Sequence, residues 1–103
     1  MRLIFCTALI GAVLVAGQAR AAGNADYGRA IAQNRCSSCH VVEPNLKGGD
    51  AAPPFAEIAR KHGNDTTWVR SWLTSPHPPM QGIALSREEI DDIVAYLGSL
   101  PKQ

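Results

Sequence analysis

The chain has 103 residues, of which 46% are hydrophobic, 18% charged and 6% aromatic, a length that holds one small domain and argues against a multidomain enzyme, a doubly wound nucleotide-binding fold or a barrel. Ten basic residues stand against nine acidic ones, for a formal charge of +1, so there is no basic footprint for nucleic acid. These averages join an uncharged stretch, Leu3 to Gly17, to a remainder that carries nearly all the charge.

In chain order, the first predicted element is an address. Met1-Arg2 supplies a positive start, LIFCTALIGAVLVAG from Leu3 to Gly17 is an apolar run, and Ala19-Arg20-Ala21 puts small residues where a signal peptidase inspects them. Residues 1–21 are therefore expected to be a secretory signal peptide, cleaved near Ala21-Ala22, that directs the protein to the periplasm. A spanning anchor needs about 20 apolar residues, more than this run offers, so no stable membrane insertion is expected after cleavage. Cys6 follows Phe5, which is not the small residue a lipoprotein site requires. Removing 21 of the 103 residues leaves 82, from 22 to 103, as the mature domain; with Arg2 and Arg20 gone its charge is near −1. A chain that short struggles to bury a sufficient core and usually carries a disulfide, a metal or another staple.

The mature part reads as an all-α fold of about four to five short helices. Asp26 to Arg35 places Tyr27, Ala30 and Ile31 at helical spacing, and Gly28 inside it, a poor helix former, marks a close crossing. Pro44, Gly48, Gly49 and Pro53 make 41–53 a loop. A short helix follows with Pro54 in its first position, Phe55, Ile58 and Ala59 on one face, and Gly63 beyond its end. Asn64 or Asp65 caps another helix through Leu73. Three prolines around His77 forbid a helix over Ser75-Pro76-His77-Pro78-Pro79-Met80. Ser86 with Glu89 forms a capping-box signature for a last helix to about Ser99, with Ile90, Ile93, Val94 and Leu97 on one side, Tyr96 flanking, and Pro101 as the stop.

The chemistry lies in Cys36-Ser-Ser-Cys39-His40, the pattern for covalent attachment of a c-type haem. Each thiol adds across one haem vinyl group, and His40, next in line, brings an imidazole nitrogen to the iron. Three other readings compete. A Cys36–Cys39 disulfide suits an oxidising compartment but closes only a tiny loop and leaves His40 without a role. Structural zinc wants four ligands, commonly in paired motifs, and only His62 and His77 remain. A thioredoxin-like redox pair expects a βαβ pattern that the sequence lacks.

Counting points to a second axial ligand. Of the two methionines one is Met1, so Met80 is the only thioether of the mature chain, and it sits in a proline-stiffened loop instead of on an apolar helical face. A soft, neutral sulfur favours ferrous iron and raises the reduction potential. His77, three residues earlier, is the rival ligand and would lower it. His62, near a helix end, reads as a favourable charge on the terminal dipole.

The order CSSCH, proline-bearing loop, Pro-Pro-Met loop and final helix with Ala-Tyr-Leu resembles class I cytochrome c of the compact bacterial kind, over residues 24 to 100. The resemblance implies a small cytochrome c-like fold around one covalently bound haem, with the first and last helices crossing at Gly28 and Tyr96. The aromatic often found four residues after the glycine is Ala32 here, which implies a looser crossing. It further implies that Pro53 or Pro54 offers its carbonyl to the Nδ1 proton of the histidine ligand, orienting the ring, and that Trp72 is the pocket aromatic. Ile31, Phe55, Trp72, Leu85, Val94 and Leu97 are then expected to pack around the ring. With both axial positions filled by protein, the expected function is electron transfer between a donor dehydrogenase or reductase and an acceptor oxidase or reductase, through brief docking of redox protein partners. A fixed haem subunit of a larger oxidoreductase is the alternative, and a small haem peroxidase or gas sensor with a labile sixth ligand a further one.

Overall fold

A computed structural model describes residues 23–46, 48–75 and 77–102. The expected signal peptide and Pro76 lie outside the described residues. Among those that are described there are four α-helices, a single 3₁₀ turn at Met80–Gly82 and no strand: α1 (Ala25–Arg35), α2 (Phe55–His62), α3 (Thr66–Thr74) and α4 (Arg87–Ser99). None of these helices is long and apolar enough to cross a membrane.

Local chemistry sets the helix starts. The Asn24 side chain accepts from the backbone N–H groups of Asp26 and Tyr27, and Asp26 in the first turn complements the dipole. Asp65 accepts from the Trp68 N–H at 2.9 Å and so opens α3. At α4 both halves of the capping box form: the Glu89 N–H donates to Ser86 Oγ, and the Ser86 N–H donates to Glu89 Oε2 at 2.7 Å. Pro54 stands one position earlier than expected, as the cap residue of α2 in extended conformation, and its carbonyl accepts from Glu57 and Ile58.

The most extensive helix contact is between α1 and α4. It is a close crossing: a Cβ on Gly28 would overlap the Asp92 carbonyl and lie 2.8 Å from Tyr96 Cβ. Ala32 is fully buried beside it. The looser crossing implied by a small residue at position 32 is therefore not found, because the missing side chain lets the two backbones approach. Tyr96 does not flank the core either. It is buried, and its hydroxyl donates to the Val42 carbonyl at 2.7 Å, tying α4 to the loop after His40. Phe55, Ala59, Val69, Ile93 and Leu97 complete the core, while Ile31, Leu85 and Val94 are only partly buried against it.

Candidate functional site

The segment after α1 coils tightly. Cys36 N–H bonds to the Ala32 carbonyl, and both Cys39 and His40 N–H groups donate to the Cys36 carbonyl, at 3.2 and 2.9 Å. The following loop runs back along this coil: Gly49 N–H reaches Ser37 O, Ala52 N–H reaches Cys39 O, and Phe55 N–H reaches Val41 O. Position 49 has room only for glycine, since a Cβ there would strike the Ser38 carbonyl. This return brings Pro53 over His40, whose Nδ1–H donates to the Pro53 carbonyl at 2.5 Å. Of the two candidate prolines it is Pro53 that fills this position. The bond fixes the tautomer, so Nε2 keeps its lone pair. His40 is buried, and Phe55 packs edge-on against its ring at 5.3 Å.

Cys36 and Cys39 carry free thiols, the first buried and the second half-buried, which sets aside the disulfide. Burial pushes the Cys36 thiol up, with Arg35 opposing that shift. No group of three or more His, Cys, Asp or Glu among the described residues is placed to hold a metal ion.

Both cysteines, His40, Pro53, Trp72 and Met80 line one cleft of about 350 Å³. A small inner extension of about 50 Å³ reaches Phe55, Leu73, Ile93 and Leu97 in the core. All six residues expected at the site are thus brought together, although they come from the end of α1, two loops and α3. His77 joins them from the proline loop, its Nε2 3.0 Å from Met80 Sδ. Trp72 lines the cleft, as expected of a pocket aromatic: α3 buries Val69 in the core and turns both indoles toward the cleft.

Two features escaped sequence reasoning. One is a row of rings: His62 stacks on Trp68 at 3.6 Å, Trp68 on Trp72 at 5.4 Å, and Trp72 leans on His77 at 4.1 Å. The four-residue spacing of the tryptophans signalled its middle, while His62 joins from α2 instead of serving only its helix terminus. The other is Arg35, which lines the cleft, donates to the Ala84 carbonyl at 2.7 Å and meets Glu89 at 3.2 Å. It fastens the end of α1 to the segment after Met80, and nothing local in the sequence signals such partners.

The donor set fits haem c. Two unpaired thiols stand one turn apart for vinyl addition, an imidazole nitrogen is aimed by its second hydrogen bond, and a thioether shares a largely apolar cleft with both. The family model described as Cytochrome c matches residues 25–101. Cytochrome c-552 of Bradyrhizobium diazoefficiens is 38% identical over 93 residues, covering 89% of each chain. No solved structure matches significantly.

Proposed function

The chain belongs to the cytochrome c family, as a class I monohaem member, and from that premise we infer an exported one-electron carrier that works in the periplasm between a donor dehydrogenase or reductase and an acceptor oxidase or reductase. It is a haem protein of electron transfer and carries one haem c attached through Cys36 and Cys39. Bound there, the haem supplies an iron that alternates between ferric and ferrous states.

The remaining work falls to the chain's own residues. His40 would hold the iron through Nε2: the Pro53 carbonyl holds its Nδ1 proton, which orients the ring and raises the basicity of Nε2. Met80 would hold it through Sδ, a soft neutral donor that favours the ferrous state and a raised potential. With both donors engaged, small molecules would find no open site. Pro78 and Pro79 line the cleft beside Met80, and a partner would approach at the mouth of this cleft, in the small contact typical of redox encounters. Residues 1–21 act as the cleaved leader, a reading supported by their charge and apolar pattern. The single observation that carries the proposal is the shared cleft of two thiols, an oriented imidazole and one thioether.

The test is optical and near-infrared spectroscopy of protein purified from the periplasm of a host competent for cytochrome maturation. Covalent haem c and a sulfur-to-iron charge-transfer band are expected, with the band lost in Met80→Ala and kept in His77→Ala. Absence of the band from the unmodified protein, with a low-spin iron that His77→Ala turns high-spin, would transfer the ligand role to His77. A colourless product with the mass of the bare processed chain would refute the reading.

A further inference from the structure

That ligand set leaves His77 without a task, yet it is prepared as a ligand would be. Its Nδ1 lies 3.3 Å from the Ser75 carbonyl, the same kind of partner that His40 Nδ1 has in Pro53. The Ser75 carbonyl and the Met80 thioether can each only accept, so the ring proton is on Nε2 while the sulfur lies beside it and on Nδ1 once the sulfur leaves, which frees the Nε2 lone pair. Nε2 faces Met80 Sδ at 3.0 Å, so two good iron donors of one loop meet at nearly one point. The Trp72 indole leans on the imidazole at 4.1 Å and keeps it over the cleft. Behind the pair is a recess of about 250 Å³, lined by both Met80 and His77 and reaching Ile83, Leu85 and Ile90. It gives the thioether somewhere to go.

We propose that His77 is a reserve axial ligand that takes the sixth position whenever the Met80 sulfur leaves it, a role that rests on Met80 being the resident ligand. Neither side chain is oxidised or reduced in the exchange. The thioether withdraws into the recess, the ring proton moves to Nδ1 and donates to the Ser75 carbonyl, and the freed Nε2 lone pair is the next donor within reach. The iron site remains closed to small molecules, and imidazole in place of thioether favours the ferric state, so the exchanged protein holds its iron oxidised.

The experiment compares the haem-loaded protein with Met80→Ala, Met80→Leu, His77→Ala and the His77→Ala/Met80→Ala double variant, by optical absorption, electron paramagnetic resonance and redox titration. Both single Met80 variants should lose the charge-transfer band yet stay low-spin with a lowered potential, and the double variant should turn high-spin and bind carbon monoxide readily when reduced. A high-spin Met80→Ala and Met80→Leu, or a double variant that stays as low-spin as Met80→Ala, overturns the proposal. Should the Met80 variants fail to mature, gentle warming of the ferric unmodified protein replaces them. Loss of the band with a low-spin iron, against a high-spin iron in His77→Ala under the same conditions, supports the reserve role, and high-spin iron in both overturns it. Absence of the band in the unmodified protein at rest would instead sink the Met80 assignment itself.

Discussion

Replacing Gly28 by alanine tests the helix crossing that closes the fold. The added Cβ would overlap the Asp92 carbonyl and press on Tyr96 Cβ at 2.8 Å. Neither contact is the free end of a flexible side chain, so α1 and α4 must part. Overpacking of this kind costs about 1–3 kcal/mol, while the change from glycine to alanine within a helix returns about 1 kcal/mol. The expected balance is a loss of up to about 2 kcal/mol, or a fall in Tm of up to roughly 16 °C for a domain of this size. Gly98→Ala is the internal control. It lies in the same packed pair of helices but is exposed, and a Cβ there meets only the Gly63 carbonyl at 3.9 Å, an ordinary contact. That variant should gain up to about 1 kcal/mol. Guanidinium unfolding of the ferric, haem-loaded protein, followed by circular dichroism and haem absorption, measures both. Equal stabilities, or a gain in Gly28→Ala, would refute the claim that the missing side chain sets the helix distance.

Tyr96→Phe removes a buried hydroxyl from the Val42 carbonyl and should cost about 1 kcal/mol at neutral pH in the same unfolding assay. Burial raises the Tyr96 hydroxyl above its usual 10.0, helped by Glu43 and opposed by Arg29. The folded state therefore holds that proton more tightly than the unfolded chain. Its contribution is whole below pH 10 and is lost as pH rises through the raised value, an alkaline decline that Tyr96→Phe should lack. Ser86→Ala breaks the capping box of α4 and should destabilise by about 1 kcal/mol, read as a lower guanidinium midpoint with an unchanged slope. Cys39→Ser should leave the haem held by a single thioether at Cys36, which intact-mass measurement and the shifted absorption of the reduced protein report.

Much of the site could be read directly because its chemistry is local. The CSSCH run needs its thiols and imidazole within one turn of chain, and Met80 is legible because Met1 is the only other thioether in the sequence. Helix starts were equally local: Asn24, Asp65 and Ser86 reach N–H groups two or three residues away. Long-range partners were not legible. The Arg35 bond to Ala84, the Tyr96 bond to Val42 and the His62 stack on Trp68 join elements whose meeting no periodicity announces.

Residue identity and short spacings by themselves determined the helices, the covalent cofactor and the candidate donors, since covalent reach, capping and backbone sterics act over a few residues. The choice of Pro53 over Pro54, the stacking of His62 on Trp68 and the meeting of His77 with Met80 belonged to tertiary structure. Each depends on how loops return across the crossing of α1 and α4, where the fit of non-neighbouring surfaces decides which carbonyl, ring or sulfur faces the cleft.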